Sequence, residues 1–318
     1  MKQSCPSIFV LFFCLLANCS GYGESAAPDG PTSGVGDWST RAPLSTARQE
    51  MPSALVANRI YTPGGYNAGG QASTVLEIYD VATDRWSTGP AVPEARHHPG
   101  VTSAAGSVFL TGGYAAAGGG SATVFAFDPA LQRWITKRAM LAPRGAHVTV
   151  ELGGKIYAIG GVRSGSVATT NEVYDPATDT WSTLAPMSVP REHLAAAAIG
   201  DRIYVVGGRA PNNTAALEAY APATNTWERL PDMPTARGGL AAAALNGKLY
   251  VFGGENPGVF PHTEEYDPTQ RTWRRVADMP TPRHGMGAVT VADAIHVIGG
   301  GIRAGFGASP MHEAFRIR

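Results

Sequence analysis

Apolar runs of four or five residues alternate with short polar turns along most of the chain, and they return in a fixed order. Leu240-Ala241-Ala242-Ala243-Ala244 is a run of small apolar residues. Asn246-Gly247 follows, a dipeptide suited to a two-residue hairpin turn. Lys248 to Phe252 forms a second apolar run, which ends in a Gly-Gly pair. After a variable stretch, a third run ends in an aromatic and Asp, as in Glu172-Val173-Tyr174-Asp175. A turn such as Pro176 to Asp179 leads to a fourth run that carries Trp. Runs this short, bounded by Gly, Pro, Asn and Asp, predict strands and not helices.

The order repeats six times. Trp occurs only at 38, 86, 134, 181, 227 and 273, in steps of 48, 48, 47, 46 and 46. Gly-Gly pairs begin at 64, 112, 160, 207, 253 and 299, and an Arg recurs at 48, 96, 144, 191, 237 and 283, both with the same steps. Four strands in a unit of about 45 residues make a propeller blade. The predicted fold is therefore all-β, a six-bladed β-propeller of four-stranded blades. The first Trp strand, from Trp38, has no three strands before it, and the last unit stops at its third strand. The N-terminal Trp strand is thus expected to complete the last blade and close the ring, which removes exposed sheet edges. The Ala and Gly content of the first strands fits six inner strands converging on an axis.

Composition agrees. Gly and Pro number 39 and 24 of 318 residues, and charged residues are only 16%, as turn-rich β architecture requires. The net charge is zero, which argues against nucleic-acid binding. Residues 1–19 read as an export signal, with Lys2 ahead of an apolar run from Ile8 to Ala17, too short to span a bilayer. All three cysteines, Cys5, Cys14 and Cys19, lie there, so the folded part has no thiol chemistry and no Cys metal site. Leu16-Ala17-Asn18-Cys19 resembles a bacterial lipoprotein signal, which implies lipidation at Cys19; ordinary cleavage nearer Ala26-Ala27 is the alternative. Residues 20–36 read as a flexible tether and 37–318 as the propeller. The expected location is the periplasm or the cell surface, with membrane contact only through the anchor and the propeller a monomer.

The Gly-Gly doublet, the Tyr-Asp-Pro-x-Thr-x-x-Trp segment and the Pro-x-x-Arg segment, at this period, resemble the kelch repeat over roughly 37–318. Kelch propellers include binding modules and a few enzymes, so the resemblance implies fold more than activity.

Function should sit where the repeats differ. Trp to Arg is always 10 residues and Arg to Gly-Gly always 16, so all length variation falls in the loop between the second and third strands. The residues after each repeat Arg also vary: Gln49-Glu50, His97-His98, Gly145-Ala146, Glu192-His193, Gly238-Gly239 and His284-Gly285. In the peptide-binding kelch domains that this chain resembles, both segments border one mouth of the central channel. Five of the eight histidines, His97, His98, His147, His193 and His284, are expected there. Neutral imidazoles accept hydrogen bonds and act as bases near pH 7. Candidate catalytic residues are His97, Glu192, His193 and His284. Candidate ligand contacts are Tyr66, His97, His98, Tyr114, Arg209 and His284, with the tyrosines placed to stack on sugar rings and Arg209 to pair with a carboxylate. No metal or cofactor is expected, since no ligand spacing is diagnostic. A Glu two residues before the third-strand aromatic in five units, with Phe125 in the sixth, predicts a structural Arg–Glu pair per blade. The resemblance keeps Arg48, Arg96 and Arg191 open as contacts to an acidic ligand.

Phosphate-loop, nucleophile-elbow and HExxH motifs are absent. The copper chemistry of some kelch oxidases needs a Cys that the propeller lacks. Two functions remain: an exported binding protein of the cell envelope with a protein or glycan ligand, or a carbohydrate enzyme of the sialic-acid mutarotase (N-acetylneuraminate epimerase) type. Convergence of the histidines and Glu192 within about 5 Å, the reach of one shared substrate atom, favours the enzyme; dispersal favours binding.

Overall fold

A computed structural model describes residues 35–115 and 118–317. Residues 1–34, on which the expected signal, Cys19 and most of the expected tether fall, lie outside the described residues. Among those described, no helix is long and apolar enough to cross a membrane.

Six antiparallel four-stranded sheets form the blades of a β-propeller. In the fourth blade the strands run Ala195–Ile199, Arg202–Val206, Leu217–Ala221 and Thr226–Leu230, from axis to rim. In the sixth, Gly287–Val291, Ala294–Ile298 and His312–Arg316 are completed by the N-terminal strand Asp37–Thr40, with Trp38 opposite Phe315. Closure by the first Trp strand is as the repeat arithmetic requires. Val35 also packs on the propeller: its carbonyl accepts a hydrogen bond from Ala277 N–H at 3.1 Å.

Each repeat marker makes a bond that its position requires. The Trp side chains stack on the third-strand aromatic of their own blade, as with Tyr220 and Trp227 at 5.0 Å. Each indole N–H donates to a carbonyl of the preceding blade at 2.7–2.9 Å, so Trp ties blade to blade. Six apolar clusters fill the blade interfaces, the last one joining blade six to blade one through Ile298, Val289, Ile60 and Tyr79. In five blades the repeat Arg is buried and bonded to the third-strand Glu: Arg48–Glu77, Arg144–Glu172, Arg191–Glu218, Arg237–Glu264 and Arg283–Glu313. In blade two, where Phe125 replaces Glu, Arg96 turns to Glu94 and to the hydroxyls of Ser121 and Thr123.

The Gly-Gly pairs belong to the seams between blades. The second Gly of each pair donates its N–H to the carbonyl of the next blade's repeat Arg at 2.8–3.0 Å. At the first Gly of the pair φ is positive, and a Cβ at Gly253 would lie 2.2 Å from the Arg283 carbonyl oxygen. Only glycine satisfies both conditions.

Candidate functional site

The site is built on a short ladder repeated in every blade. The residue after the repeat Arg pairs with the residue after Gly-Gly: Gln49 with Tyr66, His97 with Tyr114, Gly145 with Val162, Glu192 with Arg209, Gly238 with Glu255 and His284 with Gly301. The next residue in each blade joins a closed ring of main-chain hydrogen bonds about the axis. His98 N–H donates to Glu50 C=O, Ala146 to His98, His193 to Ala146, Gly239 to His193, Gly285 to Gly239, and Glu50 to Gly285, all at 2.7–3.1 Å. Every ring residue has φ between 50° and 66°. That left-handed turn costs a non-glycine residue about 1 kcal/mol, which the ring bond offsets. Behind the ring lies a chamber of about 60 Å³, lined among others by Glu50, His98, Ala146 and His193. Beyond it is the axial channel, about 420 Å³, lined by small inner-strand residues such as Ala195–Ala198 and Ala241–Ala244.

The side chains at this mouth form one connected network. Tyr66 stacks on His97 at 3.9 Å with 19° between the planes, and Tyr114 tilts over the same imidazole at 5.2 Å. His97 Nδ1 is 2.6 Å from His98 Nδ1, so one ring donates and the other accepts. His98 lies edge-on to His193 at 4.8 Å, and its Nε2 is 3.4 Å from Glu50 Oε2. His193 Nδ1 bonds the Glu192 carboxylate. Arg209 Nε donates to Glu192 Oε1 at 2.9 Å and its Nη1 to Glu255 Oε1 at 3.0 Å. His284 Nε2 closes the circuit, 3.5 Å from Glu50 Oε1 and 3.6 Å from Glu255 Oε2. Glycines make room for these groups: a Cβ at Gly145 would meet the Tyr114 ring, at Gly238 the Arg209 side chain, and at Gly285 the Glu50 carboxylate.

Burial sets the protonation states. It pushes His97 down to about 4, against the pull of Glu50. His98 is held well below the ordinary imidazole value by burial and then by His193 and His97. Both are neutral at pH 7. Burial alone would raise Glu192, but its bonds to His193 and Arg209 outweigh that and hold it below the usual carboxylate range. Tyr114 is pushed up to about 12 by burial and by Glu192, so its hydroxyl stays protonated at pH 7.

Of the five clustered histidines, four reach this network. His147 does not: it turns along blade two, with Nε2 3.1 Å from Thr111 Oγ1. His284 is in the network but fully buried, so it acts on a ligand only through its neighbours. Arg48 and Arg191 are fully buried in their Glu pairs, and Arg96 is held by Glu94 and two hydroxyls, so these arginines serve the scaffold and not an acidic ligand. Arg209 does pair with carboxylates, but they are the protein's own. Three network members escaped the candidate set: Glu50, Glu255 and Gln49, whose Nε2 lies 3.3 Å from His284 Nε2. Gln49 shares its place after the repeat Arg with His97 and Glu192. Glu50 occupies the ring position of His98 and His193, and Glu255 the post-Gly-Gly position of Tyr66, Tyr114 and Arg209, so repeat position was the usable signal. Glu50, His98 and His193 bring one donor atom each within 4.8 Å of one another.

Fold and site together define a kelch-type propeller with a polar, histidine-bearing channel mouth. The family model described as KLHDC2/KLHL20/DRC7 Kelch-repeats domain matches residues 35–208 and 185–300, and the chain belongs to the kelch-repeat family. No curated protein matches the chain. The chain is similar to the solved structure of YjhT, with a TM-score of 0.75 and 17% identity over 86% of this chain and 96% of that one. At that identity the likeness concerns the fold.

Proposed function

We propose that this kelch propeller is an exported binding protein of the cell envelope that takes a glycan or protein ligand at the histidine-bearing mouth of its channel. One observation carries the reading. The invariant repeat residues are used in blade-to-blade bonds, whereas the residues that differ between repeats meet at this one mouth. The half-buried rings of Tyr66 and Tyr114 and the Glu192–Arg209 pair offer a ligand both stacking area and polar contacts. Export and anchoring rest on residues 1–19 and Cys19.

A second reading, sugar mutarotation, is favoured by a separate observation: the donor atoms of Glu50, His98 and His193 converge within 4.8 Å, and Glu192 bonds His193. Ring opening needs a proton donor and an acceptor at one sugar, and this set supplies both. A glycan array and a sialic-acid mutarotation assay by NMR separate the two, run on wild type and His193→Ala. Glycan binding without turnover supports the binding reading. Turnover that His193→Ala abolishes replaces it with the enzyme. Silence in both assays, with no envelope protein captured by crosslinking, ends both readings.

A further inference from the structure

We infer that Glu50, His98 and His193 form a three-ligand site for a first-row divalent cation of the zinc class, set on the propeller axis at the channel mouth. The argument begins with the main-chain ring. Its six equivalent positions hold Glu50, His98, Ala146, His193, Gly239 and Gly285. Three carry metal-ligating side chains and the other three almost none, so ligands fill one part of the ring while Ala and Gly leave the rest open. Two imidazoles and a carboxylate with open positions are the donor set of catalytic zinc and non-haem iron sites.

Each ligand is oriented from behind. His193 Nδ1 is taken by Glu192, which Arg209 holds in turn, so Nε2 is the free nitrogen. His98 Nδ1 is taken by His97, and its Nε2 faces Glu50. Glu50 Oε1 faces His284 Nε2, leaving Oε2 toward His98. An imidazole whose second nitrogen bonds a carboxylate, as in His193, is the usual second shell of a metal site, and His97 fixes the orientation of the His98 ring. The spacing fits as well. The His98 Nε2 to Glu50 Oε2 distance is 3.4 Å. Bonds of 2.0–2.1 Å in a tetrahedron give a ligand–ligand edge of about 3.4 Å. The widest pair, within 4.8 Å, needs to close by up to about 1.4 Å, within reach of a side-chain rotation. The adjoining chamber of about 60 Å³ has room for a water or a ligand oxygen beside the cation.

The inference does not rest on the glycan reading, because metal binding is measured without a ligand. The purified chain is stripped with EDTA, then equilibrated with Zn²⁺ or Co²⁺, and bound metal is measured by elemental analysis and Co²⁺ visible absorption. One cation per chain is expected. His98→Ala and His193→Ala should each weaken binding at least about 100-fold, and Glu192→Gln about 10- to 100-fold. His262→Gln, on a loop of blade five, should bind as wild type. Misfolding offers no escape, since Ala146 already occupies the same ring position at φ 53°; urea midpoints verify this. Sub-stoichiometric binding by wild type, or binding by either His→Ala variant as tight as that of wild type, overturns the site. A chain that binds metal but no glycan keeps this inference and loses the glycan ligand; the converse loses the metal.

Discussion

Glu218→Ala tests whether the repeated Arg–Glu pair is scaffold. In blade four, Arg191 Nη2 bonds Glu218 Oε2 at 2.6 Å, and both side chains are at most 1% exposed. The same Arg donates through Nη1 to the carbonyl of Ala216 at 2.8 Å, and Glu218 Oε1 accepts from Ser188 N–H at 2.9 Å. Burial pulls the Arg191 guanidinium down to about 10, with Glu218 opposing the shift. Desolvation is therefore the larger effect, and removing Glu218 leaves a buried cation uncompensated. Breaking such a pair costs about 3–5 kcal/mol. Blade two supplies the internal control. There Arg96 bonds Glu94, which is 49% exposed, and two hydroxyls also hold it. Glu94→Ala should cost about 0–1 kcal/mol. With an unfolding entropy of roughly 0.6 kcal/mol/K for about 280 residues, Glu218→Ala should lower Tm by about 5–8 °C and Glu94→Ala by under about 2 °C. The assay is urea and thermal unfolding followed by Trp fluorescence. Replacing both partners with apolar residues, Arg191→Met with Glu218→Leu, should recover much of the loss. A Glu218→Ala cost below about 1 kcal/mol, or equal costs in the two blades, would refute the argument.

Acid should unfold the propeller through a second histidine pair. His296 Nδ1 lies 2.8 Å from His312 Nε2, and burial lowers His296 to about 4 and His312 to about 3. Both values fall below the unfolded value of about 6.5, so the stabilisation is complete above that pH and is lost as pH falls toward 3–4, on the order of 3–5 kcal/mol for each ring. A His312→Gln chain whose stability falls as steeply with acid would contradict this. Gly253→Ala sets a Cβ 2.2 Å from a carbonyl at φ 55°, and urea unfolding should show a loss of at least about 2 kcal/mol. Trp181→Phe removes the 2.9 Å bond to the Arg138 carbonyl and should cost about 1–3 kcal/mol by the same assay; a neutral variant would show that the Trp bond does not tie the blades.

The sequence by itself determined the blade count, the strand order and the ring closure. These depend on local periods and on markers that recur in the repeats: Gly where backbone meets backbone, Trp where one blade bonds the next, and Arg, which meets a buried Glu in five of the six blades. It also placed most of the mouth, because the residues after each repeat Arg vary while the scaffold does not. Tertiary structure alone decided which of those residues meet. Glu50, His98 and His193 are 48 and 95 positions apart along the chain. They converge because a left-handed main-chain turn in each blade brings one residue to the axis. His147 sits one residue past that turn, so its side chain leaves the mouth for blade two. Arg209 reads in the sequence as a free cation for a ligand, yet folding sets it between Glu192 and Glu255. Periodicity carries the positions of side chains around a ring, but the distances across the ring follow only from closure.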